Sequence, residues 1–254
     1  MPAKPAWPPK SLSRLFVEEP LRIDSDILIT GPQAHYLRNV IRMAEGESIM
    51  LCDDLTGEYR ATITSIGKRQ LIARVEEKYR DREAVPDLWL CAAPIKKDRW
   101  YWLVEKACEL GVKRIQPVRT ERTIIDRIKP EKLRAHVIEA AEQCERTALP
   151  ELSEMASLQQ LLDNWPEDRH LFFADERLHE GGHQLGFAEQ LHNHDGAAGL
   201  VIGPEGGFSD AENTAINAHP RAIAISLGPR ILRAETAALT ATAIWMANHG
   251  DWVE

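Results

Sequence analysis

Two loops rich in glycine and proline, each set between an apolar run and a helix start, limit what this chain can fold into. Ala197–Ile202 runs into Gly203-Pro204-Glu205-Gly206-Gly207, and Ser209-x-x-Glu212 then opens a helix. That Ser-x-x-Glu spacing is a capping box, in which the hydroxyl and the carboxylate each take up a backbone amide of the first turn. Ala222–Leu227 likewise runs into Gly228-Pro229-Arg230, and a helix carrying Glu235 and Thr236 follows. Apolar strand, glycine turn and capped helix make up the repeating unit of a parallel α/β sheet. Such sheets hold ligands at the carboxyl ends of their strands. The two loops are expected to share one ligand site on neighbouring strands.

The loop chemistry narrows the ligand. A phosphate-binding Walker loop needs Gly-x-x-x-x-Gly-Lys-Ser/Thr, and no lysine follows Gly207. A dinucleotide fingerprint needs Gly-x-Gly-x-x-Gly, a spacing that Gly203, Gly206 and Gly207 do not have, and Glu205 would repel a pyrophosphate. The loops suit a ligand with hydroxyl, amino or cationic groups beside a flat ring. Gly206 and Gly207 allow close backbone approach, Pro204 and Pro229 stiffen it, and Arg230, Arg233, Glu205 and Glu235 lie around it.

At 254 residues the chain can form one large or two modest domains. Leu21–Thr30, Ser48–Asp53, Tyr59–Ile66 and Leu71–Glu77 read as short strands punctuated by Gly46, Gly57 and Gly67, with one helix over Gln33–Arg42. They predict a small β-barrel, ending in a charged linker, Lys78–Glu83, before Pro86. From Leu88 the runs Leu88–Ala93, Arg114–Val118, His170–Ala174, Ala197–Ile202 and Ala222–Leu227 are mostly continuously apolar, as strands covered on both faces must be. Helices are expected over Lys97–Leu110, Glu131–Ala148 and Ala234–Asn248. The last has little polar face and many alanines, which predicts burial nearly all round, in the core or across a dimer interface. The expected division is residues 1–84 and 85–254.

Net charge is −8, but its distribution matters more. Residues 1–150 carry 26 Lys and Arg against 23 Asp and Glu, whereas 151–254 carry 5 against 16, so the cations that could meet phosphate are in the first part. Cys52, Cys91, Cys108 and Cys144 form no Cys-x-x-Cys pair and are expected to be buried thiols. His179, His183, His192 and His194 cluster between Asp175 and Asp195, but Gly181 and Gly182 argue against a helix presenting them, so no metal is expected. Met1–Lys10 lacks the apolar core of a signal peptide and no run approaches a membrane span, so a cytoplasmic protein without membrane partners is expected.

The segments IGPEGGFSDAE and SLGPRILRAETAALTA resemble the two signature segments of the RsmE-type family, the 16S ribosomal RNA uridine-N3 methyltransferases of the SPOUT superfamily. Further segments match in order. They are Arg14-Leu15-Phe16, His35-Tyr36-Leu37-x-x-Val40-x-Arg42, Lys96-Lys97-Asp98-Arg99 with EKACELGV, Thr120-Glu121-Arg122-Thr123, and EAAEQCERTALP. The resemblance implies an amino-terminal PUA-like β-barrel that binds RNA and a carboxyl-terminal α/β domain with a SPOUT trefoil knot. It implies a homodimer that uses S-adenosylmethionine to methylate a uridine of 16S ribosomal RNA in the small ribosomal subunit. By carry-over, Phe173, Gly203, Pro204, Glu205, Gly206, Gly207, Leu227, Gly228, Ile231 and Leu232 would hold the cofactor. Arg233, Glu205 and Arg122 would be catalytic. Arg14, Arg38, Arg42, Lys97, Arg99, Gln143 and Arg146 would contact RNA. Arginine stays protonated and cannot be the base, so Arg233 or Arg122 would stabilise charge developing on the uracil carbonyls, while Glu205 or Glu235 could accept the N3 proton or simply anchor arginine and backbone amides.

Overall fold

The computed structural model describes residues 12–179 and 186–252. The expectations for Met1–Lys10, Gly181, Gly182 and His183 lie outside the described residues. By its internal contacts the chain divides into two compact units, residues up to Ala84 together with Ala141–Ala148, and Val85–Ala140 together with Leu149 onward.

The first unit contains β1 (Arg14–Phe16), β2 (Asp26–Thr30), α1 (Gly31–His35), β3 (Ser48–Asp53), β4 (Gly57–Ile66) and β5 (Gln70–Arg80). They form one sheet in the order β1-β3-β4-β5-β2, antiparallel except where β1 runs alongside β3. Three register shifts between β4 and β5 bend this long hairpin, as bulges do, and the curled sheet closes over Leu15, Ile29, Leu37, Ile49, Leu51, Ile63, Leu71 and Val75. Asp24 sits at φ 66°, so the predicted strand over Leu21–Thr30 begins only at Asp26. The predicted helix over Gln33–Arg42 is present, from Gly31 to Ile41, but changes form along its length. Its α-helical part ends at His35, continues as a π-helical turn over Tyr36–Ile41, and stops at Arg42, which is left-handed at φ 63°.

An internal ion network ties 141–148 into this unit. Glu58, fully buried, meets the guanidinium of Arg14 and, at 2.7 Å, that of Arg80. Arg14 also reaches Glu145 at 3.0 Å, and Glu142 accepts the Phe16 amide at 2.8 Å.

The second unit contains β6 (Leu88–Ala92), α2 (Lys97–Glu109), β7 (Arg114–Arg119), α3 (Pro130–Cys144, its last four residues counted with the first unit), β8 (Glu151–Leu152), β9 (Ala156–Ser157), α4 (Leu158–Asp163), β10 (His170–Ala174), α5 (Phe187–Leu191), β11 (Ala198–Ile202), α6 (Asp210–Ala218), β12 (Ala222–Ile225) and α7 (Ala234–His249). The sheet runs β12-β10-β11-β6-β7-β8, with β9 also on β7, and every pairing is parallel. Its apolar strands are buried on both faces, with Leu171, Phe172, Phe173, Leu200 and Val201 wholly inaccessible.

Two expectations need correction here. The helix predicted over Glu131–Ala148 stops at Cys144, because Glu145 turns left-handed at φ 64° while its carboxylate is held by Arg14. Cys144 is exposed at that helix end, unlike Cys52, Cys91 and Cys108; burial pushes the Cys91 thiol up to about 12 and keeps it inert. Within the single chain helix α7 is buried on one side, while Leu239, Thr240, Ala243 and Ile244 are half-buried and Thr236 and Ala247 exposed, which leaves that open side to the dimer interface the sequence also allows. Among the described residues no helix is long and apolar enough to cross a membrane.

Candidate active site

The order β12-β10-β11 brings three carboxyl-terminal strand tips side by side. The two glycine loops are not on adjacent strands, as the sequence suggested; β10 lies between β11 and β12. Its tip, Ala174-Asp175-Glu176, enters the site that the loops after β11 and β12 enclose. The result is an open cleft, whose empty space is about 790 Å³ with the solvent at its mouth included.

Gly203, Pro204, Glu205 and Gly207 line the cleft from one loop and Leu227, Gly228, Arg230, Ile231 and Leu232 from the other. Ile202, Phe208, Ile225 and Ala237 supply apolar wall. Gly207 is left-handed at φ 66°, donates to the Pro204 carbonyl at 2.9 Å, and has the Glu176 carboxylate 2.7 Å from where a Cβ would lie. Gly228 turns the second loop at φ 107°. A side chain at either position would be strained. Just beyond, Ser209 accepts the Glu212 amide at 3.3 Å and Glu212 accepts the Ser209 amide at 2.9 Å, the capping box the sequence indicates.

Two other expected cofactor residues are placed differently. Phe173 is completely buried in the core with Leu171 and Val201, pointing away from the lining, because alternation along β10 puts Ala174 rather than Phe173 at the cleft. Gly206 is outside the lining, and its carbonyl accepts a hydrogen bond from Arg122. Asp175, Glu176 and Asn213 line the cleft without having been expected there. Asp175 and Glu176 follow an apolar strand directly, but without the glycine and proline that mark the other two loops, and Asn213 lies inside a helix.

The charge around the cleft is mainly negative. Asp175, Glu176 and Glu205 face a single cation of the lining, Arg230. Burial pulls the Asp175 carboxyl upward, but the Arg177 guanidinium and backbone amide outweigh it and hold it below its ordinary value. Arg177 binds it in bidentate fashion at 2.7–2.9 Å, which leaves Glu205, exposed and with no partner among the described residues, as the more available carboxylate. A pyrophosphate would be repelled here, while a compact cation next to an apolar plane is favoured.

The arginines expected to be catalytic sit at the rim. Thr120 and Thr123 close a turn through a 2.9 Å bond from the Thr120 amide to the Thr123 hydroxyl, and Arg122 at its crest reaches the Gly206 carbonyl. Glu212, besides capping α6, takes the Glu121 amide at 2.7 Å and fixes that turn against the helix. Arg233 occupies the N-cap position of α7, exposed and without a partner among the described residues. Glu235, in the first turn of that helix, is buried and 3.6 Å from Arg99.

The residues expected to contact RNA divide into two groups. Arg14, 9% exposed, and Arg146, 5% exposed, are committed to Glu58, Glu145 and Glu83, so they stabilise the first unit and do not face phosphate. Arg38, Arg42, Arg99 and Gln143 are exposed. Lys97 is the first residue of α2.

Residues 82–246 match the family model described as an RNA methyltransferase domain, and 29–76 match an RNA methyltransferase PUA domain. The chain is 32% identical over 232 residues to the ribosomal RNA small subunit methyltransferase E of Rickettsia conorii, covering 91% of this chain and 93% of that one. The chain belongs to the ribosomal RNA small subunit methyltransferase E family. Its Bacillus subtilis relative is 31% identical, with 84% and 86% of the two chains covered. Among solved structures, the family member of Neisseria gonorrhoeae, bound to S-adenosyl methionine, matches with a TM-score of 0.84 at 27% identity over 95% of this chain and all of that one. A Legionella pneumophila protein in complex with its cofactor SAM matches with a TM-score of 0.82 at 28% identity, covering 94% and 99%. This family member is thus an α/β protein with a PUA domain ahead of its methyltransferase sheet.

Proposed function

We propose that this chain transfers the methyl group of S-adenosylmethionine to N3 of one uridine of 16S ribosomal RNA, acting as a homodimer on the small ribosomal subunit in the cytoplasm. The observation that carries the reading is the cleft at the tips of β10, β11 and β12, with its apolar wall, backbone-rich loops and excess of carboxylates. Those features fit an adenosine ring and a molecule bearing sulfonium and ammonium cations. When bound, S-adenosylmethionine supplies a methyl already activated by the positive sulfur, so the protein's share is positioning and charge stabilisation.

Gly203, Pro204, Gly207, Leu227, Gly228, Ile231 and Leu232 would hold the cofactor through loop backbone and apolar contact. Uridine N3 must lose its proton before or during attack. Glu205, exposed in the cleft, would accept the proton, and the exposed Arg233 and Arg122 would stabilise the negative charge on the uracil carbonyls. The resemblance to SPOUT enzymes extends the proposal to a knotted chain path through the cleft loops. The half-exposed face of α7 supports the homodimer.

Two measurements test the reading. Mass mapping of small-subunit RNA from cells with and without the gene is expected to show one 3-methyluridine that disappears with it; an unchanged profile overturns the assignment. Arg233→Ala is expected to lose methylation by about 10²-fold or more, roughly the cost of removing one transition-state donor, while calorimetry still shows S-adenosylmethionine binding. Full activity in that variant removes Arg233 from the mechanism.

A further inference from the structure

The segment 119–129, which leaves β7 and leads into α3, carries a side chain that neither the cleft nor the packing of its unit uses. Ile124 is 77% exposed, more than any other large apolar side chain among the described residues. We propose that Ile124 is a wedge that enters the base stack of the RNA beside the target uridine and keeps that uridine extruded, so that its uracil reaches the cleft. The proposal deepens the methyltransferase reading and rests on it.

Three observations carry it. The first is place. Arg122 donates to the Gly206 carbonyl, and Gly206 stands between Glu205 and Gly207, which both line the cleft. Ile124 is two residues further on, and with about 3.8 Å between consecutive Cα atoms it lies within about 8 Å of Arg122. That position is beside the cleft mouth rather than in it, where the neighbours of a bound uridine would run.

The second is stiffness. The Thr120 amide donates to the Thr123 hydroxyl at 2.9 Å, the Thr123 amide donates to the Thr120 carbonyl at 3.1 Å, and the two hydroxyls are 2.8 Å apart. Glu212 of α6 takes the Glu121 amide at 2.7 Å. A side chain on a slack loop would yield to a base stack, whereas one beside a turn fastened to itself and to a helix can push into it.

The third is charge. Arg119, Arg122, Arg127 and Lys129 are exposed on the segment against Glu121 and Asp126, a surplus of cations in a chain whose net charge is −8. Cations that meet phosphate position a nucleic acid without reading its sequence. An apolar side chain set among such cations is the makeup of residues that part stacked bases. A base must leave the stack before an enzyme can act on it, and filling the gap offsets part of the unstacking cost. A single surface isoleucine is ordinary in itself; place, stiffness and charge together distinguish this one. A protein partner would need more apolar area, but Ile125 and Ile128 are half-buried.

The test measures methyl transfer from tritiated S-adenosylmethionine to small ribosomal subunits isolated from cells without the gene. Ile124→Ser is expected to lower kcat at least about tenfold and leave KM for the subunits unchanged, because a wedge acts after docking. S-adenosylmethionine affinity, measured by calorimetry on the same variant, should be unchanged, which also shows that the variant is folded. Ile124→Leu keeps the apolar bulk and should restore kcat to within about twofold of wild type. Wild-type kcat in Ile124→Ser, a loss confined to KM, or no rescue by leucine overturns the wedge. So does a lower mass of Ile124→Ser in sedimentation, which would give the side chain to a subunit interface. If the wild-type protein itself transfers no methyl group to these subunits, the methyltransferase reading falls, and the wedge with it.

Discussion

A carboxylate that accepts several backbone amides fastens loops together, and Asp53 does so at the end of β3. It is 1% exposed and takes the amides of Leu21 at 2.7 Å and Leu55 at 2.6 Å, together with the amide and hydroxyl of Thr56. Burial alone would raise its pKa, but these four donors outweigh it and hold the group below its ordinary 3.8. Asp53→Ala leaves the buried Leu21 amide without an acceptor, so a loss of about 2–3 kcal/mol at neutral pH is expected in urea denaturation. Because the folded-state pKa is the lower one, the contribution is complete above the unfolded value and fades as pH falls through the folded one. The gap between wild type and variant should therefore stay constant from pH 7 to about 5 and shrink below 3.8. A gap that is the same at low pH would mean the carboxylate is not held in its charged form.

Strand β11 shows how an element is placed by one position. Gly199 pairs with β10 and β6, and a Cβ there would collide with Cη2 of Trp165 and lie 2.7 Å from its Cζ2. That indole cannot retreat: its Nε1 donates to the Arg169 carbonyl at 3.0 Å, and its ring meets Trp89 edge-on at 6.0 Å. Trp89 is in turn covered by the guanidinium groups of Arg114 and Arg169, each 3.9 Å from its ring centre. Gly199→Ala is expected to cost about 2–3 kcal/mol by overpacking, and Trp165→Phe should make that cost smaller in a double-mutant cycle. Equal stability of Gly199→Ala and wild type would defeat the packing argument.

Neither that packing nor the site's third wall is legible in the chain alone. Long apolar runs ending in Gly-Pro announce β11, β12 and their loops, because the turn chemistry is local. β1, β8 and β9 have two or three residues each, too few to show alternation, and α4 has six, too few for a helical period. Glu145 and Arg42 adopt left-handed turns that no glycine signals; for Glu145 the ion pair with Arg14, far away in sequence, accounts for it. The same distance hides the burial of Arg14 and Arg146, whose motif positions suggest RNA but whose partners are carboxylates. Asp175 and Glu176 enter the cleft only because β10 inserts between β11 and β12, a matter of strand order rather than of residues.

At the scale of the whole molecule the surface that matters most is the open side of α7. The helix packs against α2, α5, β6 and β11 on one side, burying Ala234, Ala237, Ala238, Ala241, Trp245 and Met246. Thr236, Leu239, Thr240, Ala243, Ile244 and Ala247 remain half or fully accessible. A helix with alanine and threonine on its open side allows the close backbone approach of a second helix, and a charge inserted there cannot be buried without a partner. If a second copy covers this face, Leu239→Arg with Ala247→Arg should convert a dimer into a 28.7 kDa monomer in sedimentation equilibrium. If the face is only solvated, the same changes should alter stability by no more than about 0.5 kcal/mol and leave the mass as it was. The cleft wall at Ala234 and Ala237 lies on the same helix, so the monomeric variant should also bind S-adenosylmethionine more weakly. A double variant that keeps the dimer mass removes α7 from the interface, and the partner must then be sought on another surface.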